Sequence, residues 1–203
     1  MHDEILTTDQ TKLFPLLKRF EKQFGLVGGT AIALHIGHRR SIDFDLFSEK
    51  PFGNTALINR MDKRAKIDEI IVNKKGELTL SINLVKITFF HYPYPIIYSE
   101  RFLNLLKLPD LLTLAAMKAF ALGQRAKWKD YIDLYFIIKD HFSVDEITQK
   151  GRGIFSSNFN EKLFRTQLSY FEDIDYRESV DFLPGFETKD EVIKKALVDY
   201  SLS

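Results

Sequence analysis

The sequence predicts a mixed α/β sheet with flanking helices in its N-terminal part, followed by a helical C-terminal half. Three observations predict this. Runs with period-two alternation, the mark of a half-buried strand, are confined to the region before residue 91. From Pro109 onward apolar residues recur at helical spacing. Between Leu26 and Ser48, "LVGGTAIALHIGHRRSIDFDLFS" sets a short strand, a glycine pair, a helix and a second strand in succession. Residues 1–105 are read as the α/β domain and 106–203 as a helical domain closing a cleft.

Taken in order, "DQTKLFPLLKRFEKQF" (9–24) places Leu13, Leu16, Leu17, Phe20 and Phe24 on one helical face, with Pro15 near the first turns. "LVGG" is a short buried strand entering a tight turn. "TAIALHIG" is a helix with Thr30 as its candidate N-cap. The strand that follows alternates Ile42, Phe44 and Leu46 with Asp43 and Asp45. "GNTALINRMDKR" (53–64) reads as a helix, and 66–72, 77–82 and 84–90 read as strands. "NKKG" supplies a hairpin loop between the first two, and Asn83 turns the second into the third. "HYPYP" ends the sheet, because proline cannot donate to a ladder.

In the helical half, Asp110 is a candidate N-cap and Gly123 a stop. "RAKWKDYIDLYFIIKD" is an amphipathic helix. Ser143 with Glu146, and Thr188 with Glu191, have capping-box spacing and mark two further helix starts.

The chain has 203 residues, 45% apolar and 28% charged, the mixture of a globular protein with a sizeable core. With no cysteine, disulfides, thiolate metal sites and cysteine nucleophiles are excluded. The polar start "MHDEILTTDQ" is not a signal peptide, and no apolar run is long enough for a membrane span. A cytoplasmic protein is expected, with a monomer as the default state. The net charge of +1 is uninformative about nucleic acid, but "HRR" (38–40) and "GQRAKWK" (123–129) are local basic clusters.

Asp43 and Asp45 point to the same side of their strand, with Cα atoms roughly 6–7 Å apart. Two carboxylates so placed repel unless a cation lies between them, and as hard oxygen ligands they suit Mg²⁺. The bare glycines Gly28 and Gly29 let a ligand approach the backbone, and the helix that follows points N–H groups at it, which favours phosphate. Phosphate donors beside a divalent ion describe a site for a nucleoside triphosphate. Each part alone is weak: a glycine pair is usually a turn, and two aspartates on an edge strand are usually solvated. "EDIDY" (172–176) also contains Asp-Ile-Asp but lacks the glycines and the alternation, and it reads as loop.

"GGTAIALHIGHRRSIDFDLF" together with "KWKDYIDLY" resembles the AbiEii/AbiGii toxin family within the nucleotidyltransferase superfamily, bacterial toxins of toxin–antitoxin and abortive-infection systems. The resemblance implies a nucleotidyltransferase-like mixed sheet and an Mg²⁺-dependent transfer of NMP from an NTP to an acceptor hydroxyl. That acceptor would be RNA, at a tRNA 3′ end, and a cognate antitoxin is implied. A protein or small-molecule acceptor, or an inactive nucleotide-binding module, are the alternatives. Carried over, Gly28, Gly29 and Thr30 would hold the triphosphate, Asp43 and Asp45 the metal, and Arg40 and Ser41 phosphate oxygens. Lys118 matches the family's lysine and would neutralise phosphate charge, against the plainer reading of a snorkelling surface lysine. Asp130 matches the aspartate that acts as a base or holds that lysine, and Asp133, on the same helical face, is its rival. The third carboxylate usual in the superfamily is expected on "LVKITFF", where Thr88 stands instead.

Overall fold

The computed structural model describes residues 1–203, which form two compact units. The first comprises Met1–Gly37 and Ser41–Asp110, the second His38–Arg40 and Leu111–Ser203. The second unit thus draws three residues from the middle of the first unit's sequence.

The first unit is built on a five-stranded mixed sheet, order β1-β2-β5-β4-β3. Its strands are β1 (Gly25–Val27), β2 (Phe44–Ser48), β3 (Glu69–Lys74), β4 (Glu77–Ile82) and β5 (Val85–His91). Only β2 and β5 pair in parallel; β1–β2, β3–β4 and β4–β5 are antiparallel. The parallel pair needs a long crossover, which α3 (Asn54–Asp62) and the β3–β4 hairpin provide. α1 (Thr8–Leu17) and α2 (Gly28–Ile36) complete the unit with a small hairpin, β6 (Glu100–Phe102) and β7 (Leu106–Leu108), that the sequence reading missed.

One face of the sheet is apolar. Phe44, Leu46, Leu78, Leu80, Ile87 and Phe89 alternate inward and are fully buried. Phe89 meets Phe20 and Phe24 edge-on at 5.3 and 5.0 Å, and Phe14 meets Phe44 and Phe102 at 5.9 and 5.6 Å. Burial of these rings supplies the unit's main stabilisation, at about 2–3 kcal/mol per fully buried side chain. Ile42, expected in this alternation, precedes the strand and is exposed.

Several boundaries differ from expectation for local reasons. α1 starts earlier, because Thr7 and Gln10 form a capping box, and it ends two residues after Pro15 in a 3-10 turn. Pro15 therefore lies towards its C-terminal end rather than in the first turns. Thr30 is not an N-cap: α2 begins at Gly28, and Thr30 is turned inward. The β4–β5 loop is two residues, Asn83 and Leu84, both left-handed with φ +52° and +64°. Such a turn matches the twist of its strands but strains a non-glycine residue.

The second unit is helical: α4 (Leu111–Leu122), α5 (Trp128–Asp140), α6 (Val144–Phe155), α7 (Glu161–Leu168) and α8 (Asp190–Leu202). Ser143 and Glu146 form the expected capping box on α6. Thr188 does not cap α8; its hydroxyl donates to the Phe186 carbonyl instead. "EDIDY" is loop. No helix of the protein is long and apolar enough to cross a membrane.

Leu84 is 93% exposed, so its side chain gains nothing from packing. Leu84→Gly is expected to stabilise the protein by roughly 0.5–1 kcal/mol, since relief of left-handed strain exceeds the entropy cost of glycine. Chemical denaturation measures this, and a lower midpoint in the variant contradicts it.

Candidate active site

In the first unit, the face of β2 opposite the core carries Asp45 and Phe47, with Asp43 immediately before the strand. Strand register turns this into rows. Asp45 lies against Thr88 of β5, and Thr88 against Thr79 of β4, whose hydroxyls are 3.3 Å apart. One step towards the start of β2, Lys86 of β5 reaches Asp43, with Nζ 2.6 Å from Oδ2. One step the other way, Phe47 and Phe90 pack at 5.2 Å, and Tyr92 joins them. Tyr92 also packs on Phe90 and Tyr94.

Gly28 adjoins the carboxylates. Val27 pairs with Asp45 across the sheet, and the chain turns at once into α2. A Cβ on Gly28 would lie 2.3 Å from Asp45 Oδ2, and its φ of +72° disfavours any L side chain. Glycine is required because the carboxylate occupies the space beside the first turn of α2. Gly29 continues that turn with its backbone partly exposed.

Thr30 and Ser41 bond to one another and to the backbone around Asp43. The buried Thr30 hydroxyl donates to the Asp43 carbonyl and lies 2.9 Å from the Ser41 hydroxyl. Gln10 donates its amide to the Ser41 carbonyl at 2.9 Å. The segment carrying Asp43 is thus clamped from α1 and α2.

Asp43 and Asp45 are two hard oxygen donors of the kind that could hold a single divalent ion, as the family generally uses. No group of three or more His, Asp or Glu side chains comes together to hold a metal. The residue paired with Asp45 on β5 is Thr88, not an acid.

The second unit gathers the other candidates. Asp130 and Asp133, three apart, share a face of α5, and Lys118 of α4 reaches both, at 2.7 and 3.0 Å. Lys118 is not a snorkelling surface residue; it is buried. Asp133 is fully buried and accepts four donors: His38 Nε2 at 2.8 Å, Arg39 Nε and Nη2 at 2.8 and 3.0 Å, and Lys118. Asp130 accepts from Lys118 and from Arg125, whose side chain is largely exposed. Arg40 is bound differently, its Nε 3.4 Å from Asp181.

The "HRR" cluster is therefore not a surface patch. His38 and Arg39 are buried ligands of Asp133, and their backbones are bonded to the 181–183 segment. Arg39's role left no trace in the sequence pattern; Lys86's position was implied by strand alternation two residues before Thr88. Lys127 and Lys129 pair with Glu178.

Charge balance explains the titration behaviour. Burial opposes the Asp133 charge, yet Arg39, Lys118 and His38 hold its carboxyl well below the usual carboxylate range. Burial likewise opposes the Lys118 charge, and Asp130 and Asp133 overcome it, holding its ammonium above the usual lysine value. For His38 burial wins over its bond to Asp133 and lowers its pKa, so it stays neutral, donating from Nε2 with Nδ1 unpartnered.

Asp133→Asn removes the charge shared by four donors from three buried residues. The expected loss of stability is about 3–5 kcal/mol, read by denaturation; a change under about 1 kcal/mol contradicts this account. For His38, the folded pKa lies below the ordinary 6.5. The unfolded chain then binds the proton first, so stability falls as pH drops below about 6.5. His35, also lowered by burial, adds to the same fall. His38→Gln should flatten part of that slope in denaturation curves taken from pH 7.5 to 5; an unchanged slope would exclude His38 as a source.

The sequence itself matches known proteins. Residues 15–192 match the family model described as "Nucleotidyl transferase AbiEii toxin, Type IV TA system". An uncharacterised protein of Aquifex aeolicus (strain VF5) is 31% identical over 182 residues, 87% of each chain. Among solved structures, JHP933 from Helicobacter pylori shares the fold with a TM-score of 0.57 at 16% identity, covering 98% of this chain and 91% of that one. MenT4, a nucleotidyltransferase toxin from Mycobacterium tuberculosis H37Rv, does so with a TM-score of 0.57 at 11% identity, over 95% and 81%. The chain belongs to the AbiEii family of nucleotidyltransferase toxins of type IV toxin–antitoxin systems, whose members use an NTP and have a cognate antitoxin.

Proposed function

We propose that the protein moves a nucleoside monophosphate from an NTP to the 3′ hydroxyl of an RNA, a tRNA end, in the bacterial cytoplasm, and releases pyrophosphate. The observation that carries the transfer chemistry is the carboxylate pair Asp43 and Asp45 beside the first turn of α2, with Gly28 making room for Asp45. In this reading Asp43 and Asp45 hold one Mg²⁺, which when bound neutralises charge on the triphosphate. Gly28 and Gly29 offer backbone N–H groups to phosphate oxygens, as a helix N-terminus favours. Thr30 and Ser41 act a step behind, fixing the backbone that carries Asp43.

The lysine and base roles follow from chemistry in the second unit. Two of the three Lys118 donors are taken by carboxylates, and the third is assigned to phosphate. Asp130 is preferred over Asp133 as the group that accepts the hydroxyl proton or holds the lysine. Asp133 has its oxygens committed to four donors and a strongly depressed pKa, both of which suit a structural anion. With Thr88 in place of a third acid, the base role needs another carboxylate. Arg40, part-exposed, is assigned to phosphate. The RNA acceptor rests on the family's toxin role: a modified tRNA end halts translation.

The test incubates the protein with each α-³²P-labelled NTP, Mg²⁺ and total bacterial RNA. Label is expected in a tRNA-sized band, and loss of at least about 10²-fold in the Asp43→Ala/Asp45→Ala double variant and in Asp130→Asn. Full activity in the double variant would remove the metal-site assignment. Label in protein and none in RNA would replace the acceptor.

A further inference from the structure

Lys86 and Thr88 lie on the same face of β5, and parallel register sets Thr88 against Asp45. Lys86 consequently faces Asp43, and the two form an ion pair at 2.6 Å. Both side chains are partly exposed, 41% and 31%. We propose that Lys86 is an exchangeable counter-ion, which neutralises Asp43 in the free protein and passes to a triphosphate oxygen when the divalent ion arrives. The proposal rests on the reading of Asp43 and Asp45 as the metal-binding pair.

The charges favour this exchange. Asp43, Asp45 and Lys86 together carry a formal charge of −1. A divalent ion taking Asp43 competes with Lys86, so the metal alone binds weakly. With a divalent ion held there, these three side chains and the ion would sum to +1 and the Lys86 ammonium would be released, both of which favour a polyanionic substrate. Thr88 adds no acid to draw in a second cation. A lysine suits such a handover, being a compact charge on a flexible stem, whereas a guanidinium is built for fixed, two-point pairing. The metal and the nucleotide then favour one another, and the carboxylate pair takes metal only weakly until substrate is present.

The test has two binding readouts that the exchange moves in opposite directions. Manganese binding to the purified full chain is followed by the EPR signal of free Mn²⁺, without nucleotide. Tripolyphosphate binding is followed by calorimetry, without metal. In Lys86→Met, Mn²⁺ is expected to bind about tenfold tighter and tripolyphosphate about fivefold weaker than in the wild type. Lys86→Arg, which keeps the charge, should return both values towards wild type. The half-exposed position makes either variant compatible with folding, which circular dichroism checks. Unchanged Mn²⁺ affinity in Lys86→Met overturns the proposal, as does a change of both affinities in the same direction. Equal Mn²⁺ binding by wild type and Asp43→Asn would instead show that the metal-site reading has failed, and the exchange with it.

Discussion

The helical unit is organised around one buried carboxylate. Asp133 lies where water cannot screen it, and a bare charge there would cost several kcal/mol. The cost is offset by drawing in donors from separate parts of the chain: Lys118 from α4, and His38 and Arg39 from a segment nearly a hundred residues earlier. That segment is in turn bridged to residues 181–183. The apolar residues of α4 and α5 pack around a neutral cluster rather than an isolated charge. Arg39 is the suitable cation because its fork meets both carboxylate oxygens at once.

The first unit solves the matching problem differently. Its carboxylates stay at a partly exposed sheet face, and the protein spends its hydrogen bonds on the backbone that carries them. Gln10 and Thr30 hold residues 41–43, while Gly28 clears space for Asp45. Buried donors fix the frame, and the Asp43 carboxylate keeps the part-exposed Lys86 as its partner.

Much of this could be read from the sequence, because periodicity and spacing are local. The β2, β4 and β5 strands, α4, α5 and the Ser143 cap of α6 all have short-range signatures, whereas α7 and the pairing of Thr88 with Asp45 come from the structure. What stayed hidden was non-local. No pattern announces that Arg39 is buried by an aspartate 94 positions away, or that Thr30 turns inward to hold Asp43. The β6–β7 hairpin escaped because three-residue strands carry too few alternations to detect. Family resemblance supplied what physics alone did not: it singled out Lys118 among many lysines.

The excursion of His38–Arg40 into the helical unit has a consequence for synthesis. Arg39 leaves the ribosome long before Asp133 is made, so the N-terminal part emerges with a guanidinium whose partner does not yet exist. Fragments cut near residue 110 would each inherit half of a charge cluster, one with surplus cations and the other with an under-neutralised aspartate. The two units are distinct in packing yet not separable as gene segments. Domain-swapped chimaeras within the family would have to carry residues 38–40 along with the helical half.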